Sequence, residues 1–400
     1  MSEVTKQVSP MFPTYARFPI TMVRGEGSLL WDDQGKEYID LMCGVAVTNL
    51  GHNHPRVNQK LKEQMDQLWH VSNLFNIPNQ QKLAELLTAN SCMDAVFFCN
   101  SGAEANEAAI KIARRYFQKI RGEERYEIVT CLQSFHGRTL ATLTATGQEK
   151  VREGFLPLPE GFSYVPYNDI EAIRAAIGPK TCAVMIEMVQ GEGGVRPAER
   201  AYLQAVAQLC REQGILLIAD EIQTGVGRTG KLFAYEHYEI EPDIMTLAKG
   251  LGNGFPIGAM LGKEFLREAF SAGSHGSTFG GTPIATAAAI GVIETILSEG
   301  LAVKAFQLGE WSKNYLRTHL DEHPLVKDIR GLGFLLGIEC TESVTVWVNE
   351  MHAAGVLVIQ AGPNVIRILP AITIDQPLLE TALSRIVAVL QRAKEQQPVI

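Results

Sequence analysis

The stretch ILLIADEIQTGVGRTG at residues 215–230, with PDIMTLAKGLGNG following at 242–254, decides how this chain is read. Its apolar run Ile215–Ala219 ends in an acid, Asp220, and a second run, Ile244–Ala248, ends in Lys249. Both runs are short, rich in leucine and β-branched residues, and bounded by glycine. That pattern predicts strands buried on both faces of a parallel sheet. A carboxylate and an amine carried to the ends of two core strands need a chemical reason, because burial penalises each charge.

A cofactor with an aldehyde and a basic ring nitrogen gives one. In a pyridoxal phosphate site the lysine amine bonds to the aldehyde, and the acid keeps the pyridinium nitrogen protonated. Duller readings stand beside this one: a lysine at a strand end is commonly solvated, and an acid there can be a helix cap or a salt-bridge partner. Glycines at 250, 252 and 254 favour the cofactor, since they let a ligand approach the backbone closely. Gln223 is near enough to reach a ring substituent, or else sits in a surface turn.

Upstream, residues 95–117 read AVFFCNSGAEANEAAIKIARRYF. Ala95–Cys99 reads as a buried strand, and Ser101-x-x-Glu104 is a capping box that opens a helix. The core face of that helix is Ala105, Ala108, Ala109, Ile112, Ala113 and Tyr116. Between strand and helix, Ser101, Gly102 and Ala103 offer backbone N–H groups at a helix N-terminus, a ready site for a phosphate ester. The alternation continues with strands at Glu127–Leu132 and Ala183–Glu187, then a helix at Tyr202–Arg211 closed by Gly214. Such a βαβ rhythm predicts an α/β fold with a doubly wound, mostly parallel sheet. Ligands collect at the carboxyl ends of such strands, where Glu187, Asp220 and Lys249 all fall.

The flanks differ. Residues 1–50 read as an irregular arm and a short strand pair around the turn Asp32-Asp33-Gln34-Gly35. Helical spacing covers Pro55–Trp69 and again Gln80–Leu87. After about residue 290 a helix from Ile293, a strand at Phe334–Glu339, a hairpin at Gly362-Pro363-Asn364 and a long final helix predict a smaller α+β lobe. The expected divisions are therefore 1–50, an arm packing with the small lobe; 51–290, the large cofactor-binding domain; and 291–400, the small domain.

A net charge of −8 argues against nucleic acid or an anionic membrane as the main partner. Seven scattered cysteines without a C-x-x-C pair suit reduced thiols, not a disulfide framework or a zinc site. The start MSEVTKQVSP lacks an apolar signal core, and no run approaches the length of a membrane span. The expectation is a soluble, cytoplasmic protein that acts on small molecules and holds no metal.

Weaker signals need weighing. Gly225-Val226-Gly227-Arg228-Thr229-Gly230 matches G-x-G-x-x-G, but Lys231–Glu241 shows no helical periodicity, so a loop is predicted and no dinucleotide site. In Phe135-His136-Gly137-Arg138, ring stacking by Phe135 and an anion contact by Arg138 fit better than a general base at His136; a core Phe and a surface Arg are the bland version. His52-x-His54 lacks a third ligand. His275–Gly281 is either a second phosphate contact or a flexible turn. Arg367, among apolar neighbours in VIRILPA, marks a wet sheet face or a carboxylate clamp.

Taken in order, NSGAEANEAAIKIAR, FHGRT, QGEGG, ADEIQTGVGRTG, AKGLGNGFPIGA and HGSTFGG resemble the class III pyridoxal phosphate aminotransferases over about residues 24–371, within them the branch acting on N-acylated ornithines. The resemblance implies fold type I and a homodimer with shared sites. Lys249 would bond to the cofactor and carry the proton. Asp220 would pair with the ring nitrogen, Gln223 would contact the ring hydroxyl side, and Phe135 would stack on the ring. Gly102 and Ala103 would bind the phosphate, with Ser101, Glu187, Glu221 and Ile222 completing the cofactor contacts.

Thr278, with Ser277 beside it, would reach the neighbouring subunit's phosphate. Arg138 would hold the distal carboxylate of 2-oxoglutarate or the α-carboxylate of the acylated diamino acid. Arg367 would hold the keto acid's α-carboxylate, Glu192 would neutralise Arg367 otherwise, and Tyr15 would line the pocket. The implied reaction moves the terminal amino group of N2-acetylornithine to 2-oxoglutarate, giving glutamate, on the route to arginine. Succinylornithine, N-succinyl-diaminopimelate, 4-aminobutyrate and ornithine are the alternative donors. Val45 stands where ornithine aminotransferases carry tyrosine, which counts against free ornithine. Met188, Asn253 and Thr282 also depart from the common pattern, away from the proposed reacting atoms.

Overall fold

A computed structural model describes residues 10–395; residues 1–9 of the expected arm and 396–400 lie outside the described residues. Its centre is a seven-stranded sheet in the order Ala95–Cys99, Gly258–Gly262, Ile244–Leu247, Leu216–Asp220, Thr181–Glu187, Glu127–Cys131, Phe162–Val165. Six of these strands run in one direction, and Gly258–Gly262 alone is antiparallel to both of its neighbours. Every residue of Leu216–Asp220, Ile244–Leu247 and Thr181–Glu187 is buried, as continuous apolar runs require when helices cover both faces.

Helix Gly102–Arg115 packs on this sheet through Ala105, Ala108, Ala109, Ile112 and Ala113. Tyr116 and the residues after it leave the α-helix for a π-turn that ends at Gly122. Helix Arg200–Gln213 ends at Gly214, whose φ of +60° a side chain would strain, and feeds the Leu216 strand. The helix expected to reach Trp69 stops at Met65, because Gln67 and Leu68 both turn back onto Gln64 O.

The expected boundary at 290/291 falls inside helix Pro283–Glu299, a mostly buried core helix. The chain bends instead at Gly300, by 68°, into helix Leu301–His319. Among the described residues no single helix is long and apolar enough to cross a membrane.

The C-terminal lobe carries an antiparallel sheet of Val326–Leu332, Leu335–Cys340, Val365–Ile368 and Ile359–Gln360. The last two form the hairpin around Gly362, closed by Ala361 N–H donating to Val365 O. The N-terminal strands Met22–Glu26, Leu29–Asp32 and Glu37–Asp40 join this lobe by a parallel pairing of Ile39 with Val356. One core cluster runs from the sheet's helices into the final helix Gln376–Glu395, so the two ends of the chain share packing.

Candidate active site

The strand ends meet at a cavity of about 440 Å³. Its wall includes Ser101, Gly102, Ala103, Phe135, Arg138, Glu187, Asp220, Ile222, Gln223 and Lys249, from five separate stretches of the cofactor and substrate residues read in the sequence. A volume of this size suits a single small ligand.

Asp220 is the most closely supported side chain. It closes its strand beside Glu187 on one neighbour and Thr246 on the other. Its Oδ2 accepts from Asn106 Nδ2 at 2.8 Å and lies 2.7 Å from His136 Nδ1, while Oδ1 accepts from Ile222 N at 3.1 Å. Asn106 is itself held by the Thr246 hydroxyl and donates to His136 O. Three hydrogen-bond partners around one buried carboxylate fix its orientation. Asn106 and His136 are therefore positioning residues that sequence reading missed. The signal was faint: Asn106 is one polar residue on an alanine-rich core face.

Lys249 begins a tight turn directly after strand Ile244–Leu247, with a backbone φ of +44°. A lysine in that left-handed region stores strain that the surrounding packing must hold. The side chain is buried, and desolvation pushes its amine below the usual lysine range. The positive charge of Arg367 acts in the same direction, while Glu192, Asp220 and Glu187 oppose it. A neutral amine near physiological pH can attack a carbonyl or accept a proton.

The helix mouth is built for an anion. Ser101 Oγ accepts from Glu104 N at 3.2 Å, and Glu104 Oε2 accepts from Asn100 N at 2.7 Å. The reciprocal bond thus lands one residue before the cap expected for it. A Cβ on Gly102 would stand 2.9 Å from Ile222 Cδ1, so only glycine leaves this first N–H bare beside the cavity. Phe135 is half-buried, with the Arg138 guanidinium 5.4 Å above its ring.

Arg367 is buried, which settles its two sequence readings against the wet sheet face. Its Nη1 donates to Glu192 Oε1 at 2.6 Å and to Gln223 Oε1 at 3.1 Å. Gln223 lines the cavity, so the cluster stands at its edge. Glu192, though partly desolvated, is held below the usual carboxylate range by Arg367.

Four further residues read in the sequence stand outside this cavity wall. Glu221 does not line the cavity: its carboxylate accepts from Ala234 N, Tyr235 N and the Thr224 hydroxyl, so it anchors the following loop. Tyr15 is 75% exposed and lines a separate cavity under the N-terminal arm, with Arg17 and His52. Thr278 is exposed and Ser277 is bonded to Asn100 Nδ2 and Gly280 N, both outside the cavity wall of their own chain. The loop at 225–230 is a string of turns and opens no helix, as expected. Among the described residues no cluster of His, Cys, Asp or Glu is arranged to hold a metal.

Comparison with known proteins places this geometry. Residues 11–390 match the model of the family described as aminotransferase class III, and the chain belongs to that family. It is 50% identical over 383 residues to the acetylornithine aminotransferase of Oceanobacillus iheyensis, covering 96% of each chain. Among solved structures, the N-acetylornithine aminotransferase of Stenotrophomonas maltophilia K279a is similar with a TM-score of 0.83 and 35% identity, covering 96% of this chain and 98% of that one. The ornithine aminotransferase of Toxoplasma gondii ME49 superposes with a TM-score of 0.94 at 32% identity, covering 97% of this chain and 94% of that one.

Proposed function

We propose, from the premise that this chain is a class III aminotransferase, that it uses pyridoxal phosphate to move the terminal amino group of N2-acetylornithine to 2-oxoglutarate. The products are the acylated semialdehyde and glutamate, a step that serves arginine synthesis. The observation that carries the reading is the single cavity joining Lys249, Asp220 and the Ser101–Ala103 helix mouth.

The residues fit the cofactor. A bare N–H at Gly102 suits a phosphate ester, an acid held by three hydrogen-bond partners suits a pyridinium proton, and a desolvated amine suits an aldehyde. When bound, the group supplies a carbonyl to take up the amino group and a ring that accepts the electrons released at the adjacent carbon. Asp220 keeps the ring nitrogen protonated, with its orientation fixed by Asn106 and His136. Lys249 moves the proton at the reacting carbon, and its lowered pKa keeps it neutral often enough to do so. Phe135 excludes water from one face of the ring. Gln223 links the cofactor pocket to Arg367, which binds the keto acid's α-carboxylate, and Arg138 takes the remaining carboxylate. Glu192 occupies Arg367 when the amino donor brings no anion there, since an unpaired buried guanidinium is costly.

The acetylornithine reading rests on the 50% identity to a protein of that name, against 32% to the ornithine aminotransferase. Val45 supports it: the residue sits in a left-handed turn beside Val47, which lines the cavity, and brings no hydroxyl there.

A homodimer completes the site. Leu68, Trp69, Leu74, Phe75 and Phe279 are exposed on segments that pack together, with Asn73 Nδ2 donating to Ser277 O and Gly280 O, and the Thr282 hydroxyl to Trp69 O. Such an apolar patch suits a second copy of the chain, and it carries Thr278 toward the partner's phosphate.

Purified protein should be yellow and should form glutamate from N2-acetylornithine and 2-oxoglutarate. A panel of acylated diamines compared by kcat/KM fixes the donor. Colourless protein that binds no pyridoxal phosphate would sink the proposal.

A further inference from the structure

Glu187, which the resemblance implies as a cofactor contact, is the carboxylate of the cavity wall with no chemical role assigned above. It ends its strand as the register partner of Asp220, so two acids lie one strand spacing apart, roughly 4.8 Å between backbones. Their surroundings differ sharply. Asp220 takes three donors, and Glu192 takes Arg367. Glu187 accepts a single hydrogen bond, from Phe135 N at 3.2 Å, and among the described residues no lysine or arginine forms an ion pair with it. It is only 7% exposed. A buried anion with one donor and an ionised neighbour costs more than a buried acid that keeps its proton.

We propose that Glu187 stands in the cavity wall as a neutral carboxylic acid, donating its O–H toward the bound cofactor instead of adding a third anion. This rests on pyridoxal phosphate as the occupant. The groups facing it agree. Asp220 on the next strand and Glu192 beyond its own strand both act against a charge on Glu187, and Lys249 acts for it more weakly. His136 is turned to Asp220, Arg138 lies over Phe135, and the Tyr167 hydroxyl donates to the backbone carbonyl of Glu187 and leaves its carboxyl alone. Burial and the charge of Asp220 push the Glu187 carboxyl well above its ordinary range.

The arrangement has a consequence for Lys249. Glu192, Asp220 and Glu187 each favour the protonated amine when charged, so the state of Glu187 decides how many do. An ionised Glu187 would add a third and hold the lysine charged, whereas a neutral one leaves it free to release its proton.

The test is an infrared difference spectrum of the holoenzyme at neutral pH, wild type minus Glu187→Gln, with Glu187→Met as a second reference should the first variant fold poorly. A protonated-carboxyl C=O band assignable to residue 187 supports the proposal, and its absence overturns it. A titration of pyridoxal phosphate into apo-protein gives an independent arm. Glu187→Gln, which keeps a neutral donor, should bind within about threefold of wild type, and Glu187→Ala about tenfold more weakly. Equal loss in both variants overturns the donor role. The infrared arm needs no turnover, so its failure is separable from failure of the transamination reading.

Discussion

Arg367 Nη1 lies 2.6 Å from Glu192 Oε1, and the same nitrogen reaches Gln223 Oε1 at 3.1 Å. The Glu192 side chain keeps 30% of its exposure while the guanidinium keeps 1%. The acid is the more exposed partner, so under the proposed function Glu192 is the one that would swing away and leave the buried arginine to a substrate carboxylate.

Glu192→Gln should shift specificity. With the internal anion gone, the keto acid competes better for Arg367, so KM for 2-oxoglutarate falls while kcat/KM for the acylated diamine drops by about tenfold. Steady-state kinetics with both substrates check this. An unchanged preference would remove the switch.

Arg367→Lys should raise KM for 2-oxoglutarate by about tenfold or more. A point charge cannot reproduce the planar fork that holds a carboxylate and the Gln223 amide together. Cofactor affinity should stay near wild type, because Arg367 stands at the edge of the cavity.

Lys249→Ala should lower turnover by at least about 10⁴-fold, since it removes the only amine lining the cavity among the described residues. Pyridoxal phosphate should still bind through the helix mouth and Asp220, seen as an absorbance band that borohydride no longer fixes to protein. Retained turnover would end the mechanism.

Mixed dimers test the shared site. A Lys249→Ala subunit paired with a Thr278→Arg subunit contains one intact site only if Thr278 serves the partner's phosphate. Mixing the two should restore activity above that of either variant alone. No gain, with mixed dimers present by mass, would place Thr278 outside the partner's site.

Glu221 separates structure from cofactor binding. Burial pushes its carboxyl up to about 7, above the ordinary glutamate value, although Ala234 N, Tyr235 N and Thr224 donate to it. For an acid with a raised folded pKa, the contribution to stability is fully present below the unfolded value and is lost as pH rises through about 7. Wild type should therefore lose thermal stability between about pH 5 and about pH 8, and Glu221→Gln should lose less across that window. The variant should be less stable at every pH, having lost an acceptor, while cofactor affinity holds within about threefold. A large loss of affinity would return Glu221 to the cofactor site.

How legible the molecule was depends on the range of each interaction. The runs ending in Asp220 and Lys249 were readable because a fully buried strand must be apolar throughout, and a charge at its end is conspicuous. The Ser101-Gly102-Ala103 mouth was readable for a similar reason: caps are local, set within four residues. Tyr15 and Glu221 stand outside the cavity wall, because position in the sequence does not say where a side chain points. Glu221 follows Asp220 directly, so it faces the other side, and two of its three donors come from the folded loop at 234–235.

By itself the sequence determined the sheet, the order of its central strands in the chain, and which residues stand at their carboxyl ends, because hydrophobic period and turn chemistry act over short distances. It also determined the family, through six motifs in fixed order. Tertiary structure alone decided which acid is surrounded by hydrogen-bond partners and which is starved of donors. Asp220 and Glu187 both end apolar strands, and nothing local tells them apart. Asn106 and His136, 114 and 84 residues away from Asp220, crowd that acid with hydrogen-bond donors, and leave its strand neighbour with one. Charge state in a buried site is a sum over groups brought together from across the chain, and only folding writes that sum.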